Sequence, residues 1–212
     1  MYAVAAPSAR ELVALQERGR AYTRRSVPHS IVPALSGALY LSTDKVFRQV
    51  VGDEAVDQAF ASLSREQQGI LESAVPAAWI PFAVVDAYYE AIARSAQRDL
   101  MPLFSEVVRQ GVSQTLRSVW KILIRFTTDR ALLSRTPVIY KRGHSIGAIK
   151  TTIDAPGTAT VVLSGWPGVP ELRRLGVAVG IKAVMDVAGR RDVTVRYDGT
   201  DDGAIYHVRW HA

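Results

Sequence analysis

Gly143-His144-Ser145-Ile146-Gly147 places a serine between glycines in the G-x-S-x-G spacing of a hydrolase nucleophile elbow. Asp186, Asp192 or Asp198, and then His207, follow in the chain order such a triad uses. The elbow requires a strand before the serine and a helix after it, within a parallel sheet. The neighbourhood predicts the opposite. About a hundred residues before Ser145 read as helical, and IGAIKTTID (146–154) alternates like a strand. Gly143–Gly147 therefore reads as a glycine turn entering a strand. A small serine hydrolase at Ser145, or basic-surface nucleic-acid binding, is the alternative to the leading reading, in which no residue is catalytic.

Metal chemistry has little to work with. The chain has no cysteine, which removes disulfides, thiolate zinc, iron–sulfur clusters and cysteine nucleophiles together. Asp198–Gly203 has the carboxylates of a calcium loop. Arg209, however, stands where that loop needs a bidentate glutamate. His207 and His211 are four apart on a predicted strand, about 13 Å at ~3.3 Å per residue, too far to share an ion. No metal and no cofactor is expected.

Binding chemistry has more. PAAWIPFAVVDAYYEAIARSAQR (76–98) is apolar nearly all round, which predicts a helix central to a bundle, with Trp79, Phe82 and Tyr89 on one face. Asp86 lies among them and is expected to bond to Tyr89 or to a neighbouring arginine. Trp166 falls in Gly165-Trp166-Pro167-Gly168, where prolines stiffen and glycines bend the turn. It is expected to close the corner between sheet, helix and bundle. The same placement makes it the lid of an apolar pocket lined by Trp79, Phe82, Asp86, Tyr89 and Trp120. Arg117, Lys121 and Arg125 recur every fourth residue along one stripe. Residues 117–150 hold eight Lys/Arg against Asp129 alone, Lys141 and Arg142 among them. That surface suits an acidic protein partner. Nucleic acid is disfavoured, because no recognition-helix or RNA-binding signature accompanies the charge.

The elements that position these residues follow from periodicity. Residues 1–36 are basic and interrupted by Pro28 and Pro33, an arm or linker with a short helix capped at Ser8. Ser42 or Thr43 is expected to cap a helix ending at Gly52, Asp53 starts another, and Ser64 with Gln67 forms a capping box for a third. Pro76 is expected to start the aromatic helix. Asp99 opens a long helical stretch, and helix ends near Pro137. A hairpin follows, turning at Ala155-Pro156-Gly157, then a helix from Pro170 to Ala188 with Gly189 in a left-handed cap. Strands at 192–198 and 204–210 complete a β-β-α-β-β unit. In the last strand Ala204, Tyr206, Val208 and Trp210 point inward, and Ile205, His207 and Arg209 outward. Gly176 and Gly180 are expected to let the helix approach a neighbour closely.

The tail, from Thr160 through Ala188-Gly189 to Gly203-Ala204-Ile205-Tyr206-His207-Val208-Arg209-Trp210, resembles a paralogous family of myxobacterial proteins of unknown function. The resemblance covers roughly 37–210. The architecture is more distantly similar to the V4R, heme-NO-binding and Bet3-like group, in which a helical bundle packs on a small antiparallel sheet, often around an apolar pocket. The heme-binding branch of that group carries a helix histidine and a Tyr-x-Ser-x-Arg motif. This chain has neither among His29, His144, His207 and His211.

The expectation is an α+β domain over 37–212, helical to 136 and β-rich from 137. Its function is expected to be that of a non-catalytic regulatory or protein-interaction module, holding a small apolar ligand or an acidic partner, with a homodimer allowed. No apolar run approaches the ~18 residues of a membrane span. Met1–Ala6 lacks the pattern of a secretory leader, so a cytoplasmic location is expected.

Overall fold

The computed structural model describes residues 32–117 and 128–211. The arm before Val32, and Trp120, Lys121 and Arg125, lie outside the described residues. Of Arg117 only the backbone is described.

β1 (Ala34–Ser36) leads directly into α1 (Gly37–Val51), which starts six residues before the expected cap. Ser36 is the cap, its Oγ accepting from Leu39 N. Ser42 and Thr43 instead turn their hydroxyls back to the Leu39 carbonyl, at 2.9 and 2.8 Å, as mid-helix hydroxyls do. α2 (Asp53–Ala61) and α3 (Arg65–Glu72) follow as expected, α3 with the complete Ser64/Gln67 capping box.

Pro76 does not begin the aromatic helix. Trp79–Pro81 form β2, antiparallel to β1 with Leu35 opposite Ile80, and α4 runs from Phe82 to Ser95. Pro81 is the physical reason: it forces the preceding residue to stay extended and would clash inside a helix. β2 therefore interrupts the expected helical stretch 37–136, and β1 falls within the expected arm. They form a separate antiparallel pair, and no parallel pairing occurs among the described residues.

α5 (Leu100–Arg117) is followed by α6 (Asp129–Leu133) and α7 (Thr136–Gly143). Pro137 thus sits in the first turn of a helix, where its missing N–H has no partner to lose, and does not end one. β3 (Ala148–Ala155) and β4 (Thr158–Ser164) make the hairpin. After α8 (Glu171–Val187), β5 (Arg191–Thr200) and β6 (Gly203–His211) complete an antiparallel sheet of order β3-β4-β6-β5. Ala204, Tyr206, Val208 and Trp210 are buried, with Ala159, Val161 and Leu163 of β4 beside them. Gly189 takes φ 84° past the end of α8. α8 packs on β5 on one side and on α5 on the other. Of the two expected close-approach glycines only Gly176 serves. A Cβ there would stand 3.0 Å from Phe104 Cε1, whereas one at Gly180 would meet nothing within 4 Å. The fold is α+β.

Candidate functional site

The centre of the molecule is a row of stacked rings crossing from α7 to the β4–α8 turn. Gly165 and Gly168 adopt φ 75° and 66°, in the left-handed region glycine tolerates, and turn the chain around Trp166. Asp202, from the β5–β6 hairpin, pins that turn: its carbonyl accepts from Trp166 N at 3.0 Å and its Oδ2 from Gly165 N at 2.9 Å. Trp166 is 4% exposed and stacks on Phe82, ring centroids 4.9 Å apart at 26°. Phe82 meets His144 at 5.9 Å, and His144 lies parallel to Tyr140 at 4.2 Å. The His144 Nδ1 faces the Tyr140 carbonyl at 3.1 Å, which selects the tautomer that donates from Nδ1. Burial lowers its pKa to about 4, so this imidazole is neutral at physiological pH.

Behind Phe82 sits a cation. Arg173, in the first turn of α8, is 5% exposed. Its guanidinium carbon is 4.3 Å from the Phe82 ring centroid, 5.7 Å from Tyr89 and 6.0 Å from Phe104. Arg173 Nη2 donates to Asp86 Oδ1 on α4. Burial lowers its pKa to about 9, which still leaves it charged at neutral pH. Asp86 thus bonds to an arginine, the second of its two expected partners. Ring faces and carboxylate together offset the loss of water around the guanidinium.

Phe82, Asp86 and Tyr89 therefore lie around Arg173, and Trp166 stacks on Phe82. Trp79 lies apart: it is 49% exposed on β2, because Pro81 keeps it out of α4. Arg173 was not among the expected residues. The available signal was its spacing, since Arg173, Gly176, Val177 and Gly180 share one face of α8. A cleft of about 400 Å³ lies elsewhere, beside Arg109, Gln110, Ser113 and Gln114 of α5.

Ser145 follows a helix and precedes a strand, the reverse of an elbow. Its Oγ accepts from Ala34 N at 2.8 Å and faces the Val32 carbonyl at 3.4 Å, so it stitches this turn to β1. His207 lies on the outer face of the sheet, 3.5 Å from Asp198, and His211 pairs with Asp192 at 3.1 Å. No contact among the described residues joins His207 to Ser145. Nor do three or more potential metal-ligating His, Cys, Asp or Glu side chains cluster among the described residues. Lys141 and Arg142 stand exposed in the last turn of α7.

No family model and no curated protein matches the chain. Solved structures do. A point mutant of the Fe(II) unliganded H-NOX protein from K. algicida superposes with a TM-score of 0.64 at 10% identity, over 84% of this chain and 97% of that one. An oxygen-binding H-NOX domain related to soluble guanylate cyclases, in its oxygen complex, gives 0.61 at 12% identity, over 83% and 94%. The fold is that of the H-NOX domains. A further solved structure, described by the modulation of heme redox potential through protein-induced porphyrin distortion, gives a TM-score of 0.61 at 12% identity, over 84% and 99%.

The described residues do not fit a heme. None of the described helices carries a histidine between its ends. His144 caps α7, with its Nδ1 at a carbonyl and its faces against Tyr140 and Phe82. The space between helices and sheet, where the architecture allows an apolar pocket, holds the Arg173–Asp86 pair inside aromatic rings. No described helix is long and apolar enough to cross a membrane.

Proposed function

We propose that this chain is a non-catalytic regulatory or protein-interaction module that uses the H-NOX fold without heme. The buried Arg173 cation carries the reading. It occupies the interior between α4, α5 and α8, is neutralised by Asp86, and is enclosed by Phe82, Tyr89 and Phe104. A porphyrin there would strand a desolvated charge. A small apolar ligand, the finer form of the reading, would enter by parting Trp166 from Phe82. An acidic protein partner is the other occupant proposed, with Lys141 and Arg142 as part of its seat. Membership of the myxobacterial paralogous family, on the 203–210 strand motif, belongs to the same proposal.

The test is a spectrum and a mass. Full-length protein produced with excess heme precursor is expected to purify without a Soret band and to show no stoichiometric shift on hemin titration. One-to-one heme binding, lost in His144→Ala, overturns the reading. Native mass spectrometry of the same sample shows whether a small molecule co-purifies, and a mass lost in Trp166→Ala supports the apolar-ligand form.

A further inference from the structure

The four-stranded sheet has two edges, and only one of them is covered. β5 is the outer strand on one side. α8 packs against it, and Tyr197 of β5 donates to Glu171 Oε1 of that helix at 2.6 Å. β3 is the outer strand on the other side, and no strand pairs with its free edge among the described residues. Ala148, Lys150, Thr152, Ile153, Asp154 and Ala155 are exposed along it. Such an edge leaves a row of backbone N–H and C=O groups open to a further strand.

The β3–β4 register sorts the side chains of β3 by face. Ile149, Thr151 and Ile153 oppose Leu163, Val161 and Ala159, the buried residues of β4, and so lie on the core side. Lys150 and Thr152 oppose Val162 and Thr160 on the outer side. Asp154 keeps to that outer side despite the irregularity between Ile153 and Ala155, since its Oδ2 accepts from Thr160 Oγ1 at 2.8 Å. Along the outer side the edge therefore runs Lys150, Thr152, Asp154. Neither charge has an ion-pair partner among the described residues. That order is its own complement. An antiparallel copy with Thr152 on the two-fold axis sets Lys150 opposite Asp154 of the second copy, and Asp154 opposite its Lys150. The same register sets Ile153, 38% exposed, opposite Thr151 of the second copy and diagonal to its Ile153. A parallel copy would set Lys150 on Lys150. An unrelated strand meets the edge lysine without a matched carboxylate, which is the usual guard against edge pairing. We propose that this chain forms a two-fold homodimer by antiparallel pairing of β3 with β3 of a second copy, centred on Thr152, so that the two four-stranded sheets become one. One strand pair is a small interface, so the dimer is expected to dissociate on dilution. The pairing is independent of what the interior holds, and the Soret band tests that separately.

Sedimentation velocity of the full-length protein is expected to show a concentration-dependent monomer–dimer equilibrium. Lys150→Asp and Asp154→Lys each bring like charges together at both ends of the strand pair, and each is expected to weaken the dimer at least about tenfold. The double variant restores opposite charges at both places and is expected to recover wild-type association. The chain has no cysteine, so Thr152→Cys carries a single thiol at the axis. Opposed Cβ atoms come to about 5 Å there, and mild oxidation is expected to link the dimer through this variant but not through Ala148→Cys. All four positions are exposed, so thermal unfolding should match wild type, and the cysteine variants serve if a charge reversal misfolds. A monomer at every concentration, which is what occupation of the edge by residues 1–31 or by another protein's strand would give, overturns the proposal. So does a dimer indifferent to both single reversals, one that the double variant fails to restore, or one that Ala148→Cys links as readily as Thr152→Cys.

Discussion

Arg173 on α8 and Asp86 on α4 form an ion pair that closes the molecule at its centre, and the two sides of that pair are not equally buried. The guanidinium side chain is 5% exposed, whereas the carboxylate side chain is 22% exposed and reaches water. The helices bearing them are far apart in sequence, and this contact helps decide how bundle and sheet unit meet.

The asymmetry predicts unequal costs. Asp86→Ala leaves a buried cation without its carboxylate and should destabilise by about 3–5 kcal/mol. Arg173→Met refills the space among Phe82, Tyr89 and Phe104 and leaves Asp86 in contact with water, so about 1–2 kcal/mol is expected. Asp86→Ala combined with Arg173→Met should cost well below the sum of the two single changes. Urea unfolding of the four proteins measures this, and an additive cycle would show that the pair is not coupled.

His144 predicts a pH dependence. Its folded pKa is lowered to about 4 by burial, below the ordinary 6.5, so the unfolded chain binds the extra proton first. Its contribution is complete above pH 6.5 and is lost as pH falls toward 4. The residue is partly exposed, which reduces the effect to about 2 kcal/mol. His144→Asn, which keeps a donor toward the Tyr140 carbonyl, should flatten the stability curve across that window. Equal slopes for the two proteins would remove His144 as the cause.

The two glycines of α8 should respond in opposite directions. Gly180→Ala meets open space within a helix and should stabilise by about 0.5–1 kcal/mol. Gly176→Ala presses on the buried Phe104 ring at 3.0 Å and should cost about 1 kcal/mol or more. Thermal melts of the pair suffice. A gain at Gly176 would mean that α5 and α8 separate more readily than their packing implies.

Ser145 should be inert. Its hydroxyl is engaged by the backbone of β1, and no histidine reaches it among the described residues. A fluorophosphonate probe is expected to leave the wild-type protein unlabelled. Labelling that disappears in Ser145→Ala would restore the hydrolase reading.

Much of this was legible in one dimension. The hairpin, the Gly189 cap and the inward set of β6 are local, since an alternating pattern needs only its own residues and a turn to declare itself. The Ser64 capping box is local in the same sense. What failed was equally specific. Ser42 and Thr43 look like caps, yet Ser36 caps α1, because β1 must pair with β2 before the helix can begin. Pro76 suits a helix start, but Pro81 and the pairing of Leu35 with Ile80 hold Trp79–Pro81 extended, so α4 begins only at Phe82.

The sequence by itself determined the α+β class, the order of the sheet unit and the placing of Phe82 and Tyr89 on one helix with Asp86, because periodicity and turn chemistry act over a few residues. Tertiary structure alone decided that Arg173 would enter the core and that Trp79 would stay outside it. A buried charge is tolerated only where rings and a counter-ion from other elements surround it, and no local pattern announces that they will.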